Sequence, residues 1–584
     1  MRFHVLACDY DGTLALHGQV DSDTVAALER LLASGRKLLL VTGRELDELM
    51  GIFPHLNFFS WVVAENGALL YSPATKEERK LAETPPAAFI DALRKRGVAP
   101  MSVGRVIVAT WRPHEKAVLE AIQEAGLELQ VIFNKDAVMV LPAGVNKASG
   151  LSAALDQLGL SPHEVVAVGD AENDHAFLNA SECGVAVANA LPAVKDRADV
   201  VTKGDHGAGV IELIERITGN ALGDVDLHRH DLVLGTRADG EEARFTPYGT
   251  NLLIAGPSGS GKSTAATSFL ERLAEKRYQY CIIDPEGDYD TMTGTATVGS
   301  SAHGPTVDEV LQLLASPQQN IVVNLVGMAL GDRPPFFLKL LPRLQEMRAR
   351  TGRPHWLIVD EAHHLMPTTW EPGPQVLPDD LKRTLFITVH PGQVAPGMLK
   401  SVDTVIAVGG QPEDTVRQFL EAMKEDVPKL PAYTLEKGEV LLWRRETPRE
   451  PMVLRLIPST TERRRHTRKY AEGELPPERS FYFQGPDKKL NLRAQNLILF
   501  MQLADGVDDA TWEHHRKAGD YSRWFAKCIK DKNLAAGAAD IEGREGLTPK
   551  ESRAQMRALI EQYYTLPGGP PLPMPGTDAE PVHQ

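Results

Sequence analysis

The sequence predicts an α/β protein built from doubly wound parallel sheets. Short apolar runs typical of strands alternate with stretches of helical periodicity, and polar or glycine residues follow the strands. Two phosphate-handling motifs stand at such strand ends, DYDGTL at 9–14 and GPSGSGKST at 256–264. Because open α/β sheets bind ligands at the carboxyl ends of their strands, we expect two ligand sites in two successive domains.

Composition and charge restrict the class of protein. The 584 residues allow about three or four folded units, and 43% hydrophobic with 24% charged residues is typical of globular chains. A net charge of -15 argues against a surface that coats nucleic acid. The cysteines lack metal-ligand or disulfide spacing, which favours the reducing cytoplasm; they are Cys8, Cys183, Cys281 and Cys528. No targeting segment or membrane partner is expected, because no apolar run has the length of a membrane-spanning helix.

The amino-terminal elements follow one another in the α/β order. The pattern predicts strands at 3–7, 37–41 and 165–168 and a helix at 21–34. Asp9 and Asp11 follow the first strand, spaced so that one carboxylate can attack phosphorus while the other serves the leaving oxygen. Gly12 allows the tight turn that this loop needs. This loop is therefore a candidate nucleophile site.

Later residues supply the remaining chemistry of a phosphatase. Thr42 ends the second strand and offers a hydroxyl for a phosphoryl oxygen, and Lys147 supplies positive charge. Asp170 and Asp174 carry the hard oxygen ligands that Mg²⁺ prefers. We therefore expect a covalent aspartyl-phosphate route in which Asp9 is the nucleophile, with Asp11 as acid and then base.

These residues, together with VTGR at 41–44, AENGA at 64–68 and GDAENDHAFL at 169–178, resemble the Cof-type branch of the haloacid dehalogenase-like (HAD) phosphatases over about residues 1–220. The resemblance implies a HAD Rossmann-like parallel sheet with an inserted α/β cap at about 72–144, of the type found in sucrose phosphatases and archaeal phosphoglycolate phosphatases. It also implies that Asp9 and Asp170 bind Mg²⁺ directly, that the Asp11 carbonyl assists, and that Asn173 and Asp174 support the ion. Arg112 and Lys135 are candidate substrate contacts in the cap, although a solvated cap surface would carry such charges as well.

The second motif is a phosphate-binding loop, because it follows a predicted strand at 252–255 and opens a helix. Its glycines let backbone N–H groups surround the phosphates of ATP, Lys262 reaches the β and γ phosphates, and Ser263 coordinates Mg²⁺. The predicted ATP-binding residues are Gly256, Gly259, Ser260, Gly261, Lys262, Ser263 and Thr264.

An acidic pair completes the predicted ATPase site. Asp360 and Glu361 follow an apolar strand at 356–359, where Asp360 would hold the metal through water and Glu361 would orient the attacking water. IIDPEGDY at 282–289 makes residues 224–446 similar to the HerA and FtsK-related P-loop ATPases, a RecA-like class, and the resemblance implies that His390 senses the γ-phosphate. The resemblance does not decide whether the protein forms a homo-oligomer through this domain, since no arginine finger can be assigned. DEAH at 360–363 does not indicate a helicase with two cores, because only one P-loop domain fits.

The remaining chain divides into three parts. Residues 447–489 form a linker whose basic run at 463–469 is read as a solvated surface more readily than as a nucleic-acid contact, because no aromatic residues interleave. Residues 490–566 predict a small helical module with Trp512, Trp524 and Phe525 in its core. Residues 567–584 are rich in proline and glycine and are expected to be disordered.

Three functions remain open. The leading hypothesis is a Mg²⁺-dependent phosphatase of a small phosphorylated metabolite, either a sugar phosphate or phosphoglycolate, fused to an ATP-hydrolysing domain of regulatory or assembly role. The second is an ATP-driven nucleic-acid motor whose phosphatase domain trims ends. The third, a polynucleotide kinase/phosphatase, is disfavoured because the acidic pair suits water activation and a capped phosphatase suits small substrates.

Overall fold

The computed structural model describes residues 2–257, 259–290, 292–368, 382–445, 451–460, 475, 477–487, 490–529 and 531–563. The basic run at 463–469 and the tail at 567–584 lie outside the described residues. In the described part, no helix combines the length and the apolar character needed to cross a membrane.

The first sheet has eight strands. Its strands are β1 (Val5–Cys8), β2 (Lys37–Val41), β3 (Trp61–Ala64), β4 (Leu69–Ser72), β5 (Glu77–Lys80), β10 (Val165–Gly169), β11 (Cys183–Ala186) and β12 (Val200–Val201); the four strands numbered between β5 and β10 form a separate sheet. The six neighbouring strands from β12 to β3 pair in parallel. The order β12-β11-β10-β1-β2-β3-β4-β5 places β1 in the middle, between β10 and β2. The first strand begins two residues later than the sequence predicted and includes Cys8. The helices packed around this sheet are Ser22–Ala33, Leu46–Ile52, Lys147–Leu158, His175–Ala180, Pro192–Lys195 and His206–Asn220.

The cap is a separate four-stranded antiparallel sheet with two helices. Its strands are β6 (Met101–Val103), β7 (Val108–Trp111), β8 (Leu129–Asn134) and β9 (Ala137–Pro142), in the order β6-β7-β9-β8. Its helices are Ala87–Lys95 and Glu115–Ala125. Because β5 pairs with β4 in the main sheet, the cap's own structure begins later than residue 72.

The second domain contains an eleven-stranded sheet with a parallel centre. Its strands are β13 (Leu232–Thr236), β14 (Glu242–Phe245), β15 (Leu252–Ala255), β16 (Tyr280–Asp284), β17 (Thr295–Val298), β18 (Asn320–Asn324), β19 (Trp356–Val359), β20 (Thr384–Thr388), β21 (Thr404–Ala407), β22 (Glu439–Arg444) and β23 (Met452–Leu456). In the order β14-β13-β23-β22-β21-β15-β20-β19-β16-β18-β17, strand β20 separates the strand before the phosphate loop from the strand before the acidic pair. The helices are Lys262–Glu275, Val307–Leu314, Arg333–Thr351, Ala362–Leu365, Pro396–Leu399 and Pro412–Ala422.

The carboxyl-terminal module is helical, with one small sheet that the sequence did not predict. Strands β24 (Phe481–Phe483) and β25 (Leu492–Ala494) pair antiparallel. The helices are Leu497–Gly506, Asp509–Ala518, Asp520–Trp524, the π-helical Phe525–Ile529, Lys532–Gly543 and Pro549–Tyr563. Trp512, Trp524 and Phe525 are buried in its core, as their spacing predicts.

Buried polar side chains join the first and second domains. The Arg353 guanidinium donates hydrogen bonds to the Gly159 carbonyl of the first domain and to Gln279 Oε1 of the second. His355 contacts Glu164 Oε1 through Nε2 at 2.8 Å and accepts the Gln279 backbone N–H at Nδ1 over 2.7 Å. The two domains therefore share a hydrogen-bonded boundary.

Candidate active sites

Three neighbouring strands bring the first site together. Asp9 follows β1, Thr42 follows β2 and Asp170 follows β10, and Cys8 at the end of β1 is in register with Val168 of β10. Since these strands are parallel, their carboxyl ends meet at one edge of the sheet. The structure thus brings together residues that are up to 161 positions apart, counting from Asp9 to Asp170.

Lys147 lies between two carboxylates of this site. Its Nζ donates to Asp9 Oδ1 at 2.5 Å and to Asp174 Oδ1 at 2.6 Å, and its side chain is only 1% exposed. Burial and the nearby charges of Asp174 and Asp170 raise the pKa of Asp9, although Lys147 opposes the shift. One lysine therefore does not by itself offset the buried negative charge.

The loop after β10 fixes the other acidic side chains. Asp174 Oδ2 accepts the backbone N–H groups of Asp170 and Ala171, each at 2.8 Å. Asn173 Nδ2 donates to Asn66 Oδ1 at 2.9 Å, which connects this loop to the loop after β3. Asp9, Asp170 and Asp174 each present an oxygen within 4.8 Å of the others.

This set fits a divalent cation. Three carboxylates and one lysine carry a formal charge of about -2, and oxygen-only ligands are those that Mg²⁺ prefers. Asp9, Asp170 and Asp174 would hold the ion. The Asp11 carboxylate is not part of this group.

Asp11 is paired with an arginine whose role the sequence did not predict. Arg44 Nε donates to Asp11 Oδ2 at 2.6 Å and Arg44 Nη2 donates to Asp11 Oδ1 at 2.7 Å. The Asp11 side chain remains 37% exposed, so it faces the opening of the site. The same Arg44 donates its backbone N–H to Thr42 Oγ1 at 3.1 Å. Arg44 belongs to the VTGR segment, and its place in that motif was the sequence signal that could have identified its role.

The turn at Gly12 requires glycine. Its φ is +84°, and a Cβ atom there would lie 2.4 Å from Asp170 Oδ2. Any side chain at this position would displace the Asp170 carboxylate. The tight turn expected from the sequence is present. The close approach to Asp170 is a second reason why this position requires glycine.

The cap places one of its two candidate cations over the acidic set. Lys135 Nζ lies 3.1 Å from Asp170 Oδ2, at the tip of the β8–β9 hairpin. The Arg112 guanidinium instead lies over the Phe133 ring of the cap, 5.2 Å from its centroid. Of the two candidates, Lys135 is therefore the one that reaches the acidic set.

A buried glutamate holds the cap segment against the main sheet. Glu65 accepts the backbone N–H groups of three consecutive residues, Arg105 at 2.8 Å, Val106 at 2.7 Å and Ile107 at 3.0 Å. Its own φ is +51°. Glu65 belongs to the AENGA segment, and its link to the cap could not be derived from the sequence.

The second site has the form of a phosphate-binding loop. Gly256, Gly259 and Gly261 have positive φ of 153°, 77° and 110°. Lys262 begins the helix Lys262–Glu275, and its Nζ donates to the carbonyls of Gly256 and Pro257 at 3.0 and 3.2 Å. Ser260 lies in the loop, while Ser263 and Thr264 lie in the first turn of the helix.

An acidic group faces this lysine. Burial and the neighbouring charge of Glu361 raise the pKa of Asp360, while burial lowers the pKa of Lys262 against the opposing charges of Glu361 and Asp360. Asp284 in IIDPEGDY organises its own loop by accepting three backbone N–H groups at 2.8 to 3.1 Å. Burial raises the pKa of Asp284 to about 7. Acidic groups at the ends of β16 and β19 thus face the phosphate loop after β15.

His390 lies next to this group without a side-chain contact to it in the described residues. Its backbone N–H donates to Thr388 Oγ1 at 3.2 Å, and that hydroxyl also contacts His363 Nδ1 at 3.0 Å. His363 Nδ1 is in turn 3.4 Å from Glu361 Oε2. Among the described residues, His363 of the DEAH run at 360–363 is thus a histidine that contacts the acidic pair.

Two family models match the chain. Residues 6–107 and 103–214 match the haloacid dehalogenase-like hydrolase family, and residues 249–330 match the central domain of Helicase HerA. The relatives include Phosphoglycolate phosphatase 2 of Saccharolobus solfataricus, 30% identical over 238 residues, which are 38% of this chain and 97% of that protein. The Phosphoglycolate phosphatase of Methanothermobacter thermautotrophicus is 31% identical over 222 residues, covering 37% and 98%. A solved haloacid dehalogenase-like hydrolase from Bacteroides thetaiotaomicron is 22% identical, covers 37% of this chain and 99% of its own, and has a TM-score of 0.33.

Proposed function

Because the chain belongs, through its amino-terminal domain, to the haloacid dehalogenase-like hydrolases, we propose that it removes the phosphoryl group from a small phosphorylated metabolite of the phosphoglycolate class. Sugar phosphates are the alternative class. The observation that carries the proposal is the buried set of Asp9, Asp170 and Asp174 around Lys147. The relatives named phosphoglycolate phosphatase support the substrate class.

The proposed reaction has two steps on this chain's residues. An Asp9 oxygen attacks phosphorus, the bond from phosphorus to the leaving oxygen breaks, and Asp11 gives that oxygen its proton. Asp11 then takes a proton from water, whose oxygen attacks phosphorus and releases inorganic phosphate and free Asp9. Thr42 and Lys147 hold phosphoryl oxygens and offset their charge. Mg²⁺ held by Asp9, Asp170 and Asp174 would supply Lewis-acid stabilisation of the phosphoryl group.

Asp11 must leave its pair with Arg44 to do this. The two hydrogen bonds hold both carboxylate oxygens at the opening of the site, where a substrate would enter. A substrate that carries its own anionic group can take the place of Asp11 at Arg44 or bind Lys135 of the cap. This arrangement favours phosphorylated acids over neutral sugar phosphates.

The substrate proposal is tested by phosphate release from phosphoglycolate and from a panel of sugar phosphates with Mg²⁺ present. We expect turnover that Asp9→Asn abolishes. Lys135→Met should raise the KM for phosphoglycolate more than the KM for a neutral sugar phosphate, whereas Lys116→Met, at an 86% exposed cap lysine, should change neither. Equal effects of Lys135→Met on both substrates would refute the role given to the cap.

We further propose that the HerA-like domain hydrolyses ATP with Mg²⁺ and regulates the phosphatase across the shared boundary. The positive-φ phosphate loop, Lys262 and the acidic pair support hydrolysis, and the contacts of Arg353 and His355 support coupling. Phosphatase rates with and without ATP, in wild type and Lys262→Ala, test both parts. An ATP effect on the phosphatase that persists in Lys262→Ala would contradict the coupling.

A nucleic-acid motor is the second candidate, and the match to the central domain of Helicase HerA favours it. ATPase stimulation by DNA that falls steeply with salt would support this candidate. Its absence would leave a metabolite phosphatase with a regulatory ATPase. Oligomerisation through the ATPase domain belongs to the same proposal, as does a cytoplasmic location, which the scattered spacing of the four cysteines supports.

A further inference from the structure

Two histidines and one glutamate come together at the boundary between the first domain and the ATPase domain. His163 Nδ1 lies 2.7 Å from Glu182 Oε2, and His230 Nε2 lies 3.7 Å from the same oxygen. His163 belongs to the 3₁₀ turn Pro162–Glu164, Glu182 directly precedes β11, and His230 precedes β13. One candidate ligand atom from each residue lies within 4.8 Å of the others.

We propose that this cluster binds a divalent transition cation of the Zn²⁺ class through His163, Glu182 and His230. Imidazole nitrogens with one carboxylate form a donor set that such cations prefer, whereas Mg²⁺ prefers oxygen ligands. Ligands about 2.0–2.1 Å from a tetrahedral Zn²⁺ lie about 3.3 Å from one another. The two distances to Glu182 Oε2, 2.7 and 3.7 Å, lie on either side of that value.

The surroundings of His163 direct one nitrogen to the cluster. Its Nε2 lies 2.8 Å from the Lys276 carbonyl, so this nitrogen donates its hydrogen there. Nδ1 then presents its lone pair to the Glu182 carboxylate oxygen. Two electron-rich atoms at this distance require a positive species between them, which is either a proton or a metal ion. A backbone carbonyl that fixes the ring of a ligating histidine is a common outer partner in metal sites.

Neighbouring side chains orient the Glu182 carboxylate. Tyr278 stacks on the His163 ring with 3.7 Å between centroids and donates its hydroxyl hydrogen to Glu182 Oε2 at 3.3 Å. Arg2 approaches the other oxygen, Oε1, at 3.8 Å. Oε2 therefore faces Tyr278 and the two histidines, while Oε1 faces Arg2.

A path for the ion is present. His163 and His230 both border a cleft of about 500 Å³ between the domains. A cation held there would join the segment before β13 to the phosphatase domain, next to Lys276 and Tyr278 of the ATPase domain. The site is separate from the carboxylates around Lys147 and does not depend on the proposed substrate.

The test is a Co²⁺ titration of the full-length protein with saturating Mg²⁺ to occupy the carboxylate site. Imidazole-bound Co²⁺ of low coordination number absorbs visible light strongly, whereas six-coordinate Co²⁺ with oxygen ligands absorbs weakly. We expect the strong band in wild type and its loss, with affinity about tenfold or more weaker, in His163→Gln and His230→Gln. His228→Gln is the matched control, because this side chain is 71% exposed and bonds only to Asp231 among the described contacts; it should keep the band.

Two results would overturn the proposal. One is the absence of a strong band in wild type, which would mean that a proton alone bridges His163 and Glu182. The other is a band of equal strength in all four proteins. A wild-type measurement that needs no variant to fold gives an independent check, because Zn²⁺ should displace the Co²⁺ band and raise the melting temperature. Failure of either effect would count against the site.

Discussion

Lys147→Met should separate metal binding from catalysis at the phosphatase site. The substitution keeps an unbranched side chain in a position that is 1% exposed and removes the cation between Asp9 and Asp174. The formal charge of the three carboxylates and residue 147 changes from about -2 to about -3. We therefore expect Mg²⁺ to bind more tightly while turnover falls.

The magnitudes follow from the contacts. Loss of a preorganised charged partner of the phosphoryl group costs about 3–4 kcal/mol, or about 100- to 1,000-fold in kcat. Unit charges about 4 Å apart interact by about 4 kcal/mol at an effective dielectric of about 20, and a third of that is already about tenfold in affinity. The Mg²⁺ concentration for half-maximal activity should thus fall by about tenfold or more.

The assay is phosphate release as a function of Mg²⁺ at saturating substrate. Lys116→Met, at an exposed lysine of the cap, is the control and should match wild type in both quantities. A kcat within about threefold of wild type would refute the charge role of Lys147. An unchanged Mg²⁺ requirement would refute the placement of the ion beside it.

Three further predictions concern the turn, the cap and pH. Gly12→Ala should reduce kcat by about 100-fold or more, because a Cβ atom 2.4 Å from Asp170 Oδ2 displaces that carboxylate; an active variant that retains wild-type Mg²⁺ dependence would contradict this. Glu65→Gln should lower the melting temperature and the phosphatase rate, because losing one acceptor for the buried amides of residues 105–107 costs about 1–3 kcal/mol; equal melting curves would be the contrary result. Burial lowers the pKa of His4 to about 4, so the unfolded chain binds more protons between pH 4 and 6.5 and stability falls with falling pH in that window. Between pH 7 and 5 this contributes about 2 kcal/mol, and urea unfolding at both values should show a smaller loss in His4→Gln than in wild type.

The sequence predicted what local patterns encode. Apolar strands that end in Asp9, Thr42 and Asp170 could be placed at one sheet edge, because parallel strands of an α/β sheet end on the same side. The α/β fold class predicted from these strand ends was confirmed. The order β15-β20-β19 could be expected only from the resemblance, because no residue in these strands specifies its neighbour.

Contacts between distant residues could not be predicted. Arg44 and Asp11 are 33 positions apart, and Glu65 reaches amides 40 to 42 positions away. His355 and Glu164 are separated by 191 positions, and they meet only because two domains pack together. Such pairs depend on tertiary packing, which leaves no periodic signal in the chain.

The helix Lys147–Leu158 has a mechanical consequence. Lys147 stands at its first position, where the Asn146 side chain accepts the N–H groups of Ala148 and Ser149. Twelve residues later, about 18 Å along the axis, Gly159 ends the helix and its carbonyl receives the Arg353 guanidinium. A regular helix resists stretching, so a displacement of the Arg353 segment either breaks that carbonyl contact or moves the Lys147 ammonium group that contacts Asp9.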